Sequence, residues 1–184
     1  MGQARLNLKG LVAAVVDRDS FARGLVSRML RGFGVTNIQV AENGAGAKEI
    51  LATSCPDIIF AEGALPDMSA AELINWVRRN DNKALRFQPI IVLSGYTQLK
   101  LISDARDAGA HLVVRKPLSP QALFDRLVWV AKFDRPFIET PTYVGPDRRF
   151  RDITPPDGEL KRATDVRVEV QQGADVPAPD VVKV

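Results

Sequence analysis

Asp17, Glu62, Ser94 and Lys116 each stand where an apolar run gives out: LVAAVVD (11–17), DIIFAE (57–62), PIIVLSG (89–95) and AHLVVRK (110–116). If those runs lie side by side, two acids, a hydroxyl and an ammonium meet on one rim. Acids gathered in this way hold a hard cation such as magnesium, which takes carboxylate oxygens in near-octahedral geometry. Alternatively, they pair with neighbouring cations through charge-assisted hydrogen bonds. Arg18, directly after Asp17, places a guanidinium that cannot be deprotonated beside the rim. Asp17 and Glu62 against Arg18 and Lys116 make a formally neutral set, so we expect no metal and no catalytic residue here. Asp19 is either a further acid for the rim or the cap of the next helix.

A second group lies in YVGPDRRFRD, residues 143 to 152. Arg148, Arg149 and Arg151 are interleaved with Tyr143 and Phe150 and flanked by Asp147 and Asp152. Arginine is suited to planar, bidentate and stacking recognition. One guanidinium can take the O6/N7 edge of a guanine, another can stack on a base face, and a carboxylate can accept the guanine N–H donors. The same cations neutralise phosphates. A ligand with two guanines and two phosphates matches this set; an acidic protein, RNA or plain solvation of a charged linker matches it too. The flanking acids disfavour a long polyanion, and we expect no DNA partner.

The first group needs a scaffold, and the chain supplies one. Valine-rich apolar runs alternate with segments of helical period: 20–31, 45–53, 69–80, 98–109 and 119–133. TNIQVAE (36–42) is a further strand signal. Continuous apolar strands are buried on both faces. Five βα units predict a doubly wound parallel five-stranded sheet, (βα)5, of the α/β class. In such sheets sites form at the carboxyl ends of the strands, where the four residues above fall.

The chain has 184 residues, 46% hydrophobic and 26% charged, with a net charge of +3 and a pI near 9.2. These are ordinary values for a globular protein. One cysteine, Cys55, excludes an internal disulfide. No apolar run approaches the roughly 18 residues of a membrane span, and MGQARLNLKG lacks a signal-peptide core. A cytoplasmic location without membrane insertion is the expectation. Of the 12 prolines, seven follow residue 134, where apolar periodicity fades. We therefore divide the chain into a folded domain, 1–133, and a largely disordered tail, 134–184, with a ligand-binding motif at about 143–162.

The combination of VVD, LP, the small hydroxyl residue and KP, at these spacings over residues 10 to about 133, resembles the receiver domain of two-component response regulators. Members carry a phosphate on an aspartate five residues before the position of Asp67, use two adjacent acids after the first strand for magnesium, and have a cis Lys-Pro bond. The resemblance implies a cis Lys116-Pro117 and gives Ser94 the hydroxyl that reports phosphorylation. This sequence departs from the pattern three times. Glu62 stands in the phosphoacceptor slot, Arg18 in the second acid slot and Val113 at a switching aromatic. The departures imply a degenerate phosphorylation pocket of Asp17, Arg18, Glu62, Ser94 and Lys116, in which Arg18 repels the ion or takes its place by pairing with Glu62, and Glu62, one methylene longer than aspartate, can reach toward Lys116 or Ser94.

A receiver of this kind followed by an arginine-rich extension resembles the Cle proteins, CheY-like regulators of alphaproteobacteria. That resemblance implies a non-enzymatic protein that binds cyclic di-GMP through the extension. Its contacts would be Arg148, Arg149, Arg151 and Asp152, with Asp147 and Tyr143. The implied partner is a flagellar motor switch protein, reached through the helix 4–strand 5–helix 5 face, with recruitment to the flagellar pole. The competing expectations are a conventional phosphorylated single-domain regulator and a tail that binds nucleic acid or an acidic protein.

Overall fold

The computed structural model describes residues 8–95, 99–132 and 136–148, and the backbone of a strand at 166–168. Five strands, β1 (Val12–Val16), β2 (Asn37–Ala41), β3 (Ile58–Glu62), β4 (Ile90–Ser94) and β5 (Leu112–Arg115), form one parallel sheet in the order β2-β1-β3-β4-β5. The helices are α1 (Ser20–Gly32), α2 (Gly44–Ser54), α3 (Ala70–Arg78), a short α4 (Lys83–Arg86), α5 (Leu99–Asp107) and α6 (Pro120–Lys132). The predicted (βα)5 architecture is therefore the one observed. The sequence reading missed α4, a single turn capped by Asn82; the helices it counted fourth and fifth are α5 and α6.

Alternation along the strands sends successive side chains to opposite faces. Ala14, Val16, Ile59, Ala61, Ile90 and Val92 pack with Leu51, Leu73, Ile74, Val77 and Leu85 from α2, α3 and α4. Ala13, Val15, Ile58, Phe60, Ile91 and Leu93 pack with Val26, Leu30, Leu123 and Leu127 from α1 and α6. Both faces are covered, which is why the strands read as unbroken apolar runs. Local signals fix the helix starts. Asp19 caps α1 by accepting from Phe21 N at 2.9 Å, and Ser69 with Glu72 forms a capping box on α3.

The sequence reads 134–184 as a largely disordered tail; within that stretch the described residues include β6 (Phe137–Glu139) and β7 (Val144–Pro146), which form an antiparallel hairpin. A third strand, β8 (Val166–Val168), pairs with the other edge of β6. The turn Thr140–Tyr143 is closed by Thr140 N to Tyr143 O at 2.7 Å and Tyr143 N to Thr140 Oγ1 at 2.9 Å. Phe137 and Tyr143 are buried. Only a few apolar side chains hold the hairpin, so its sequence shows no sustained period.

Candidate functional site

The carboxyl ends of β1, β3, β4 and β5 converge as the sequence predicts. Register sets Val16 beside Ala61, Glu62 beside Leu93, and Ser94 beside Arg115. Asp17, Glu62 and Ser94 are buried. Lys116 follows β5 directly; its backbone N–H donates to Ser94 O at 2.9 Å, and its bond to Pro117 is cis. Lys116 Nζ donates to Asp17 Oδ2 at 2.5 Å and to Glu62 Oε2. The remaining oxygens are also engaged: Asp17 Oδ1 accepts from Asp19 N at 2.9 Å, and Glu62 Oε1 from Gly63 N at 2.8 Å. Burial opposes the charge on Lys116, but the hydrogen bonds and fields of Asp17 and Glu62 outweigh it and raise the ammonium above its usual range.

The family model of the response regulator receiver domain matches residues 13–128. The chain belongs to this family. The receiver is 26% identical over 113 residues to the chemotaxis protein CheY of Pseudomonas aeruginosa, covering 61% of this chain and 90% of that protein. It is 30% identical over 141 residues to the transcriptional regulatory protein KdpE of Mycobacterium tuberculosis, covering 72% of this chain and 59% of KdpE. The solved chemotaxis response regulator CheY4 of Vibrio cholerae superposes with a TM-score of 0.60 at 25% identity, over 65% of this chain and 98% of CheY4. The matched family region ends before the hairpin begins.

In this receiver the structure decides between the partners open to Glu62. Arg18 is exposed and forms no ion pair with Glu62. Glu62 pairs with Lys116 instead, because β5 delivers Lys116 to the centre of the rim while Arg18 sits on the outward turn after β1. The charge beside Asp17 on that turn comes from Arg23, whose Nη1 donates to Asp17 O at 2.5 Å. Asp19 is the helix cap of the two roles open to it. Val113 packs partly buried against the core. Each carboxylate oxygen of Asp17 and Glu62 already accepts a hydrogen bond, and the second acid slot holds a guanidinium. Among the described residues no cluster of three acids, histidines or cysteines has metal-binding geometry. Asp67 is a brace: its carboxylate accepts from Gly44 N at 2.7 Å and Ala45 N at 2.8 Å, tying the loop after β3 to the start of α2. The Gly44 N–H holds that carboxyl below the usual range.

Of the six residues assigned to ligand contact, Arg149, Arg151 and Asp152 lie outside the described residues. Arg148, Asp147 and Tyr143 lie on the docked hairpin, away from the strand-end rim. Asp147 N donates to Pro136 O at 2.9 Å. Tyr143 is buried with its hydroxyl donating to Pro146 O at 2.6 Å. The Arg148 guanidinium carbon lies 4.2 Å from the Tyr143 ring centroid, and Nη1 donates to Asp107 Oδ1 at 2.7 Å. Gly109 and Gly145 permit this approach. A Cβ on Gly109, which has φ +104°, would come within 2.5 Å of Val144 O, and one on Gly145 within 2.7 Å of the Gly109 Cα.

Sequence reading missed a buried cation that lies beneath the hairpin. Arg78, at the end of α3, is 1% exposed. Its Nε and Nη2 donate to Gly109 O at 3.1 and 2.9 Å, and its Nη1 donates to Arg86 O at 2.7 Å and Gln88 O at 2.9 Å. No carboxylate pairs with it in the described structure. Burial pushes the guanidinium down to about 9, with Tyr143 acting in the other direction, so it stays charged at neutral pH. The Phe137 ring lies 5.2 Å from the guanidinium and 5.5 Å from the ring of His111. His111 Nδ1 accepts from Ile90 N at 3.2 Å, so the histidine is a packed structural group. The available signal was position: Arg78 continues the buried Ile74 face of α3 one turn on.

Proposed function

We propose that this receiver works without phosphorylation and takes cyclic di-GMP on its arginine-rich segment, passing that signal to a flagellar motor switch protein. The observation that carries the reading is Lys116 held between Asp17 and Glu62. The extra methylene of glutamate brings its carboxylate onto the lysine, so the rim is closed by ion pairs where other receivers gain a phosphoryl group. The switch must then come from elsewhere, and the guanidinium cluster is the chemistry on offer. Arg148, Arg149 and Arg151 supply bidentate and stacking donors for guanines and cations for phosphates, and Asp152 and Asp147 accept guanine N–H groups. Tyr143, stacked beneath Arg148, holds one guanidinium in place rather than meeting the ligand with an open ring.

The likeness to chemotaxis CheY proteins favours a motility partner. The α5–β5–α6 face is the proposed docking surface, and α5 exposes Leu99 and Ile102 on it. On this reading the protein is a binding module rather than an enzyme, acting in the cytoplasm at the flagellar pole. Among the described residues no helix is long and apolar enough to cross a membrane.

A second reading, a conventional phosphorylated regulator, is favoured by the retained Asp17, Ser94 and Lys116 at their family positions. Calorimetric titration of the full chain with cyclic di-GMP separates the two. Binding that is lost in Arg149→Ala and Arg151→Ala, and unchanged in Glu62→Asp, is the expected result. No heat with the wild type, or binding abolished by Glu62→Asp, rejects the proposal.

A further inference from the structure

The first arginine of the motif is already committed to groups of its own chain. Arg148 rests one face on Tyr143 and gives Nη1 to Asp107. Asp107 is the last residue of α5. A carboxylate there faces the negative end of the helix dipole and is better held with a cation beside it. Two cations attend it, Arg148 at 2.7 Å and Arg106 Nε at 3.3 Å. The contact is fixed from both sides: the hairpin is docked through Gly109 and Gly145, and Tyr143 is pinned by its hydroxyl. Both partners of the ion pair remain partly open to water, 44% for Arg148 and 49% for Asp107. An incoming anion can therefore reach the pair and compete for it.

We infer that Asp107 is an internal competitor of the ligand, an autoinhibitory contact in which its carboxylate occupies the Arg148 donor that a ligand phosphate or guanine edge would take. The inference rests on the reading of Arg148 as a contact for an anionic guanine nucleotide. Ligand and α5 then share one guanidinium. When the ligand takes Arg148, the end of α5 loses one of its two compensating cations, and α5 belongs to the proposed partner face. Binding free energies are reciprocal. A partner that engages Asp107 with its own cation frees Arg148 and strengthens ligand binding.

The test titrates cyclic di-GMP into the full chain carrying Asp107→Asn or Asp104→Asn. Both variants remove one negative charge from α5, but only Asp107 touches Arg148; Asp104 is exposed on the same helix. Releasing a half-exposed ion pair should tighten binding in Asp107→Asn by about two- to fivefold, with Asp104→Asn close to wild type. In an Arg148→Ala background Asp107→Asn should have no effect. Equal affinities for wild type and Asp107→Asn, or equal tightening by both variants, overturn the inference and leave the proposed function standing. No binding by any form overturns both.

Discussion

Replacing Arg78 by methionine tests whether a buried guanidinium without an acid partner holds the hairpin side of the receiver together. Arg78 makes four hydrogen bonds to three backbone carbonyls, those of Gly109, Arg86 and Gln88. Methionine has similar length and fills the space, so the chief loss is donors rather than volume. A buried acceptor left without a partner costs about 1–3 kcal/mol. The sites of Arg86 O and Gln88 O are only partly buried, and water reaches them more readily than Gly109 O. The sum therefore falls near the low end, about 3–5 kcal/mol, a large share of the roughly 5–15 kcal/mol of a whole domain. Arg78→Lys keeps the charge but presents one ammonium, which cannot span three carbonyls, and should recover less than half of the loss. Urea unfolding of the full chain gives these differences. A double-mutant cycle with Phe137→Ala isolates the ring contact, expected at about 0.5–1 kcal/mol. A loss below about 1 kcal/mol for Arg78→Met, or full rescue by lysine, refutes the carbonyl-clamp argument.

The rim yields two further expectations. Lys116→Met leaves Asp17 and Glu62 side by side without their cation and should cost about 3 kcal/mol at pH 7. The Lys116 ammonium is raised in the fold, so its contribution is complete below the unfolded value near 10.4 and lost as pH rises through the folded one. Denaturation of both proteins should thus show the gap narrowing as pH rises beyond the unfolded lysine value of about 10.4; a gap that stays constant from neutral to strongly alkaline pH rejects the ion-pair account. Incubation with acetyl phosphate and magnesium should leave the wild type unlabelled by intact mass, whereas Arg18→Asp combined with Glu62→Asp restores both family acids and should take up a phosphoryl group. Labelling of the wild type would return the protein to the conventional class.

The parallel sheet, the two-sided core and the four rim residues were legible because each rests on a local pattern. Valine-rich runs specify strands, helical periods fill the crossovers, and a parallel sheet aligns every strand's carboxyl end. Even the cap role of Asp19 follows from its neighbours. What the sequence did not decide is pairing across distance. Arg18 and Lys116 are equal candidates for Glu62 on paper; the register of β5 gives the contact to Lys116, 54 positions away, and leaves Arg18 outside. Likewise Arg78 reads as a solvent cation in WVRRN until the fold wraps three carbonyls around it. The hairpin was hidden because its few apolar residues carry no period, and it rests on groups distant in sequence, among them Arg78, Phe87, Gly109 and His111. Composition and spacing thus determined which groups the chain brings to the rim. Tertiary structure alone decided which of them touch, because hydrogen bonds and ion pairs depend on positions fixed by strands and loops far apart in the chain.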